Sequence, residues 1–161
     1  MKIIIAGAGE VGYHLAKLLS FESHDITLID NQKSNLNIAE NKLDIKTIEG
    51  NSASISVLKD ANVGNSDLVV SLTTSETTNF TTCILSKQLG AKRTIARISN
   101  VEFIKDCNEI DFNSIGIDEL ISPENLAAEE IKLILSDSAF TNTHDFDDGA
   151  LKMMAVRLKK N

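Results

Sequence analysis

The sequence has no tryptophan, one tyrosine and six phenylalanines among 161 residues, so aromatic side chains make up only 4% of the chain. Because 42% of the residues are still hydrophobic, a core must be built from isoleucine, leucine, valine and alanine. This composition is typical of parallel strands that are buried on both faces. The length indicates one domain, or one domain followed by the start of another.

Cysteine is scarce, and long apolar runs are missing. The two cysteines, Cys83 and Cys107, show neither Cys-x-x-Cys spacing nor the spacing of metal ligands, so we expect reduced structural thiols in a cytosolic protein. The apolar run at residues 3–6 is too short for a signal peptide, and no run approaches the roughly 18 apolar residues of a membrane-spanning helix. We therefore expect a soluble chain, which leaves docking onto a membrane protein open.

Positive charge is also in short supply. The formal net charge is −7, and basic runs reach no more than two residues, as in Lys159-Lys160. Nucleic acids and anionic lipid surfaces are bound by clusters of Lys and Arg. We therefore expect no nucleic-acid partner and no direct insertion into a membrane.

What the chain does contain is a regular alternation of strand and helix patterns. The predicted strands lie at residues 2–6, 26–29, 45–48, 68–72, 94–98 and within 115–121, and the predicted helices at 11–20, 33–43, 54–61, 77–89, 101–109 and 123–135. Ser52 or Ser54 is expected to cap the third helix, Gly90 to end the fourth, and Pro123 to open the last. The alternation predicts an α/β fold with a doubly wound, parallel, six-stranded Rossmann-type sheet, helices on both faces and strand order 3-2-1-4-5-6.

The pattern breaks after residue 136. Residues 137–149 are polar and acidic and are interpreted as a linker, while residues 150–158 are apolar with partial alternation. A lone strand cannot satisfy its backbone groups, so this piece is expected to pair with another element or to belong to a longer chain. The predicted organisation is an α/β domain at 1–136, a linker at 137–149 and a further piece at 150–161.

The first predicted strand runs directly into Gly7-Ala8-Gly9-Glu10-Val11-Gly12, a Gly-x-Gly-x-x-Gly turn that opens a helix. In this setting Gly7 permits the tight turn, Gly9 lets a diphosphate approach the backbone, and Gly12 lets the helix pack close to the strand. The helix N-terminus offers N–H groups and partial positive charge to phosphates. The turn therefore predicts a dinucleotide or nucleotide site.

An acidic residue completes the pattern. Asp30 ends the second predicted strand 18 residues after Gly12, where a carboxylate accepts hydrogen bonds from both ribose hydroxyls of adenosine and repels the 2′-phosphate of NADP. Its alternative role is that of a turn or cap residue. Glu10 is unfavourable beside a diphosphate unless it points away, so we expect it to face solvent at the helix N-terminus.

Three other predicted strand ends lie on the same edge, because ligands of open α/β sheets bind outside the carboxyl ends of the strands. Asn51 follows the third strand and is expected to shape the adenine pocket. Thr73 and Thr74 follow the fourth strand and offer hydroxyl and N–H groups to ribose or phosphate. Arg97 ends the fifth strand, where its partner is expected to be a nucleotide phosphate or, alternatively, the carboxylate of Glu76 or Asp67.

Catalytic features are absent from the sequence. His14 lies in a helix and His24 in a turn, and neither has a Cys or carboxylate at metal-ligand spacing. His144 lies in an acidic, polar segment and is interpreted as a surface histidine. There is no Walker Gly-Lys-Ser/Thr loop and no Gly-x-Ser-x-Gly nucleophile. We expect no catalytic residue, no metal site and no enzyme. A small NAD-dependent oxidoreductase stays the alternative, since a catalytic half encoded elsewhere would supply what is missing here.

Five stretches resemble the RCK domain (also called KTN) of potassium channels and transporters. They are MKIIIAGAGEVG (1–12), DITLID (25–30), LTTSETTN (72–79), IARI (95–98) and GIDELISPE (116–124). The last stretch is specific, because ordinary dehydrogenases do not carry an Ile-Ser-Pro-Glu turn at the sixth strand. Together the stretches cover about residues 1–136. The resemblance implies that these residues are a Rossmann-type nucleotide-binding domain and that residues 150–161, after the linker, begin a truncated C-terminal subdomain.

The resemblance implies a regulatory subunit that is cytoplasmic and peripheral at the inner face of the cell membrane. It implies binding of NAD(H), or alternatively of ATP or ADP, assembly as dimers or tetramers through the late helices, and gating of a membrane-embedded Trk-type potassium transporter subunit. The implied nucleotide contacts fall on the positions already selected. The chain departs from the family at Thr77, where the family has Glu, and at Ala53, where a hydroxyl is frequent; both changes bear on nucleotide preference.

Overall fold

The computed structural model describes residues 1–100, 102–105, 110–136, 142–146 and 151–155. The strands are β1 (Lys2–Ala6), β2 (Asp25–Asp30), β3 (Lys46–Glu49), β4 (Leu68–Ser71), β5 (Arg93–Arg97), β6 (Glu119–Ile121), β7 (Asn142–Phe146) and β8 (Leu151–Ala155). The helices are α1 (Glu10–Ser20), α2 (Lys33–Glu40), α3 (Ile55–Asp60), α4 (Glu76–Gln88), α5 (Glu102–Lys105) and α6 (Pro123–Ser136), with a 3-10 turn at Val63–Asn65. Cys107 lies outside the described residues.

The first six strands form one parallel sheet in the order β3-β2-β1-β4-β5-β6, which confirms the predicted fold class and strand order. The strand order reverses between the neighbouring strands β1 and β4: the chain continues from β1 to β2 on one side and from β4 to β5 on the other. Loops that follow these two strands therefore flank a crevice at the carboxyl edge of the sheet, where open α/β sheets bind their ligands.

Aliphatic residues of the strands point alternately to two separate cores, as the strand period of two requires. On one face, Ile3 and Ile5 pack with Ala16 of α1 and Leu36 of α2. On the other face, Ile4 packs with Leu58 of α3 and with partly buried residues of α4. Burial of each large aliphatic side chain contributes about 1.5–3 kcal/mol, so mainly aliphatic residues hold the helices to both faces. Aromatic side chains lie at the margins: Tyr13 packs against the first core, and Phe80 and Phe112 against a small third cluster.

The helices of the sheet domain begin and end at capping residues close to the predicted positions. Ser75 caps α4, and its hydroxyl oxygen accepts the N–H of Thr78 at 3.3 Å. Gly90 follows the last residues of α4 with φ +112°, a conformation that favours glycine. Ser54 precedes α3 as expected, although its side chain makes no capping hydrogen bond.

The sixth strand is shorter than the predicted segment 115–121. Gly116 has φ +96° and turns the chain, so pairing with β5 begins only after it. Asp118 then uses its side chain where a strand would use its backbone: Oδ2 accepts the N–H of Thr94 at 2.7 Å. The same carboxylate binds Lys87 Nζ at 2.7 and 2.8 Å, so α4, β5 and the start of β6 meet at one ion pair.

Residues 123–161 form a second compact unit, separate from residues 1–122. It contains α6 and an antiparallel hairpin in which β7 pairs with β8, from Asn142 opposite Ala155 to Phe146 opposite Leu151. Residues 142–146 were expected within a linker but form a strand, because they pair with the apolar piece that needed a partner. The division into a nucleotide-binding domain, a linker and a truncated subdomain stays a prediction.

In the described part of the chain, no helix combines the length and apolar character that crossing a membrane requires.

Candidate nucleotide-binding site

The turn after β1 is held in place by its glycines. Gly7 adopts φ +103°, and its N–H donates to the carbonyl of Ile29 at the end of β2, at 2.7 Å. A Cβ on Gly7 would lie 2.9 Å from the backbone nitrogen of Thr73. Only glycine therefore fits here without strain, and the turn after β1 lies directly against the turn after β4.

Gly12 and Gly9 have different surroundings. A Cβ on Gly12 would lie 1.9 Å from the carbonyl oxygen of Gly7, so the missing side chain lets α1 pack onto the turn. A Cβ on Gly9 would meet nothing within 4 Å. Packing within the chain thus explains two glycines and leaves the third facing open space, which is where a ligand can approach the backbone.

Gly9 is also the N-cap of α1, in extended conformation. Glu10 and Val11 follow it and are exposed, as expected for Glu10. Among the hydrogen bonds of the described residues, none uses the N–H of Gly9, Glu10 or Val11. These N–H groups point out of the helix start, where its dipole is positive, so the turn can hold an anionic group of a ligand.

Asp30 is bound to the same turn. Its Oδ2 accepts the N–H of Ala8 at 2.6 Å, while Oδ1 accepts the N–H of Gln32 at 2.8 Å and the amide of Asn35 at 3.3 Å. A carboxylate offers about four acceptor positions. Three are in use here, so one position stays open on Oδ2, and a further position on Oδ1 opens only if the long bond from Asn35 gives way. The structure thus shows Asp30 in the turn role that the sequence left as one alternative, and its role toward a ligand stays a prediction.

The turn after β4 is organised by Asn79, which was not selected from the sequence. Asn79 lies on α4 and is fully buried. Its Oδ1 accepts the backbone N–H of Thr73 at 2.9 Å, the Thr73 hydroxyl at 2.7 Å and the Ser71 hydroxyl at 3.0 Å. The sequence does contain a pattern that points to it: Asn79 precedes Cys83 by four residues and Ser86 by seven, so the three lie on the same, buried side of the helix.

Arg97 is half-buried at the carboxyl end of β5, and its carbonyl accepts the Asn79 amide at 2.9 Å. The alternative ion pair with Asp67 is wrong, because Asp67 precedes β4 at the opposite edge, where it binds Lys92 Nζ at 2.6 Å. Glu76 begins α4, and its carboxylate accepts the N–H groups of Ser99 and Asn100. The loop after Arg97 is therefore held to the N-terminus of α4.

Two predicted residues are less closely tied to the turn. The Oδ1 of Asn51 accepts the N–H of Ala53 at 2.9 Å, so its side chain closes its own loop after β3. Thr74 is exposed beside Thr73. Both lie at the carboxyl edge, but in the described part of the chain no hydrogen bond joins either side chain to the glycine turn or to Asp30.

The structure thus brings together the glycine turn, Asp30 and the Thr73 turn, and it links Thr73 to Arg97 through Asn79. The site presents free N–H groups, one carboxylate and hydroxyl groups around open space. Among the described residues, no group of three His, Cys, Asp or Glu side chains is arranged to hold a metal ion. The donors present suit a phosphate-bearing ligand with a ribose.

Comparison with known proteins gives a consistent assignment. The TrkA-N domain matches residues 3–123. The Trk system potassium uptake protein TrkA of Haemophilus influenzae is 37% identical over 159 residues, which cover 98% of this chain and 35% of that protein. The chain therefore spans about a third of the length of this relative.

Solved structures share the fold at low sequence identity. The TrkA-N domain of inner membrane protein ybaL from Escherichia coli superimposes with a TM-score of 0.72 at 13% identity, over 83% of this chain and 96% of that one. The GsuK channel bound to NAD superimposes with a TM-score of 0.67 at 15% identity, over 91% of this chain and 25% of that one; a further structure of GsuK is bound to ADP. Together with the TrkA relative, the domain match over most of the chain confirms the resemblance noted in the sequence, and the chain belongs to the TrkA-N domain family.

Proposed function

We propose that this domain binds NAD(H) and thereby regulates potassium transport through a membrane-embedded Trk-type transporter, with ATP and ADP as the other candidate ligands. The observation that carries the proposal is the open space in front of Gly9, at a helix start whose first N–H groups are unused and beside a carboxylate fixed to the same turn. When bound, the ligand would supply a charge-dependent signal rather than a reaction.

Each part of the nucleotide has a group of matching chemistry. The turn at residues 7–12 would hold the diphosphate through N–H groups. Asp30 would accept a ribose hydroxyl and repel a 2′-phosphate. Thr73, Thr74 and Arg97 would face the part of the ligand that extends over β4 and β5, and Asn51 the adenine.

Relatives favour regulation over the alternative of a small oxidoreductase. The relative that matches most of the chain is named for potassium uptake, and a structural neighbour is a channel with NAD bound. A binding domain acts on such a partner only through a difference in ligand affinity between two states of the assembly. We therefore propose that nucleotides of different charge and length favour different states of the transporter complex.

Self-association is part of the proposal. On α6, four large apolar side chains are more than half exposed: Leu126, Ile131, Ile134 and Leu135. The last three lie at spacings that place them on one side of a helix. Such a surface supports assembly as a dimer or tetramer, and sedimentation equilibrium of this chain, compared with an Ile131→Asp variant, tests it: the variant is expected to shift toward monomer.

The first test of ligand binding is thermal melting with NAD, NADH, NADPH, ATP and ADP at equal concentration. A ligand that binds only the folded state at 100 times its Kd stabilises by about 2.7 kcal/mol. For a chain of this length that raises Tm by roughly 5–11 °C. We expect a rise with NADH and little with NADPH. No shift with any of the five would refute nucleotide binding.

Asp30→Asn tests the ribose contact. The variant removes the charge that repels a 2′-phosphate, so the preference for NADH over NADPH is expected to fall at least tenfold. Asp25→Asn is the matched control, because it makes the same charge change at the opposite end of β2, where the side chain is exposed. Equal effects of both variants would mean that Asp30 acts only through net charge.

Regulation of a transporter needs a separate test. Potassium uptake is measured in cells that lack their own Trk regulatory subunit and express either the parent sequence or Gly9→Ala within the full-length protein. Binding without any difference in uptake between the two would refute the regulatory role and leave nucleotide binding standing.

A further inference from the structure

The buried side chain of Asn79 makes five hydrogen bonds at the carboxyl edge of the sheet. Three donors converge on its Oδ1, from the Ser71 hydroxyl and from the hydroxyl and N–H of Thr73. Its Nδ2 donates to the carbonyl of Thr73 at 3.0 Å and to the carbonyl of Arg97 at 2.9 Å. Both hydrogens of the amide are therefore used. Aspartate has the same length and an acceptor oxygen, but its carboxylate lacks the two N–H donors.

These bonds connect three loops that are far apart in the sequence. Thr73 lies against Gly7, since a Cβ on Gly7 would come within 2.9 Å of the Thr73 backbone nitrogen. Arg97 is the last residue of β5, and the loop that follows it is held by Glu76 at the start of α4. Through Asn79, the positions of the turns after β1, β4 and β5 depend on one another.

The order of the strands divides the site into two halves. Asp30 on β2 and the glycine turn after β1 form one half, and they are bound to each other without Asn79, by the contacts of Ala8 with Asp30 and of Gly7 with Ile29. The ends of β4 and β5 form the other half, beyond the crevice between β1 and β4. A mononucleotide needs the first half alone, whereas a dinucleotide extends over both.

We propose that Asn79 is a positioning residue that holds the β4 and β5 half of the site in register with the glycine turn, so that it sets the affinity for a dinucleotide over a mononucleotide. This inference rests on the proposed nucleotide binding and adds the residue that determines which ligand length is favoured. Asn79 is fully buried and acts through Thr73 and Arg97 rather than by touching the ligand.

Asn79→Asp tests the proposal because it keeps the shape and the acceptor but lacks both donors, and it sets a carboxyl group against the carbonyls of Thr73 and Arg97. Asn79→Ala removes all five bonds. Ser86→Ala is the matched control: Ser86 lies seven residues further along the same helix and is equally buried, and within the described part of the chain its hydroxyl has no hydrogen-bond partner. Each variant is first shown to melt cooperatively, and calorimetry then gives Kd for NADH and for AMP.

We expect Kd for NADH to rise at least tenfold in Asn79→Asp, Kd for AMP to stay within threefold, and Ser86→Ala to change neither. The same result with Asn79→Ala supports the proposal if the aspartate variant does not fold. An equal loss for NADH and AMP would overturn it, because a general structural defect does not discriminate between the ligands. Unchanged Kd values would also overturn it. If the parent binds neither ligand, the proposed function fails first, and that outcome is distinct from a parent that binds both and is insensitive to Asn79.

Discussion

Gly12 and Gly9 lie three residues apart in the same turn, yet replacing them with alanine is expected to damage different properties. A Cβ on Gly12 would lie 1.9 Å from the Gly7 carbonyl oxygen, where contacts under 3.0 Å essentially never occur. Backbone must therefore move by about 1 Å, because the obstacle is not the end of a flexible side chain. Overpacking of this kind costs about 1–3 kcal/mol, and the upper end applies here.

The helix preference of alanine over glycine returns about 1 kcal/mol, so the net loss is about 2 kcal/mol. For a chain of this length that lowers Tm by about 4–8 °C. Gly9→Ala faces no such clash, since its φ of −66° and ψ of −173° suit alanine. Its cost at the N-cap is about 0.7 kcal/mol, the difference between alanine and glycine at that position, and its Tm is expected to fall by only about 1–3 °C.

For ligand binding the order is expected to reverse: Gly9, which contributes little to stability, should be the glycine that affects affinity. In Gly9→Ala the new methyl group enters the open space where the diphosphate is proposed to approach, so Kd for NADH is expected to rise at least tenfold in a normally stable protein. Calorimetric titration of NADH and melting followed by circular dichroism measure the two properties on the same samples. Equal Tm values for the two variants would refute the packing argument, and an unchanged Kd in Gly9→Ala would refute the approach of the ligand at this glycine.

Other contacts lead to further expectations. Arg97→Ala should weaken NADH binding by about 1.5–3 kcal/mol, the range for hydrogen bonds to charged groups, and a Kd equal to that of the parent in calorimetry would exclude a phosphate contact. Lys87→Met should lower the free energy of unfolding, measured by urea denaturation, by about 1–2 kcal/mol, because it leaves Asp118 without its cation. This loss is smaller than for a fully buried ion pair, since both side chains are about a quarter exposed. Burial raises the pKa of Asp118, but Lys87 and the Thr94 N–H outweigh that effect and hold the pKa below its ordinary 3.8. The Asp118 carboxylate therefore stabilises the fold above about pH 4, and this contribution is lost as the pH falls further. In Lys87→Met that acid-dependent loss should be smaller, and an unaltered pH profile would contradict the assignment. Burial also raises the pKa of the Cys83 thiol to about 12, so in a Cys107→Ser variant iodoacetamide at pH 8 should label Cys83 only on unfolding, and rapid labelling of the native protein would disprove its protection.

Local sequence patterns were sufficient for the sheet and for the proximity of the glycine turn to Asp30. The alternation of aliphatic strands and helix patterns is a short-range property, and right-handed crossovers then allow few topologies. The glycine spacing and Asp30 identified the edge where the turn and the carboxylate meet, because both directly follow strands. Boundaries were less certain where side chains replace backbone pairing, as at Asp118, which shortens β6.

Contacts between distant residues decided the rest. Asn79 lies 18 residues from Arg97, and Asp118 lies 24 from Thr94, so neither pairing leaves a periodic signal in the sequence. The hairpin of β7 and β8 was likewise not evident, because β7 is polar and is a strand only through its partner.

The sequence by itself determined the class of the fold, the order of the strands and the edge at which the glycine turn and Asp30 lie, because hydrophobic period and glycine conformation act within a few residues. Only the tertiary structure decided which glycines serve packing and which faces open space, how many acceptor positions Asp30 retains, and that a buried asparagine ties three loops together. Those properties depend on distances between atoms of separate elements, which packing sets and local sequence does not encode.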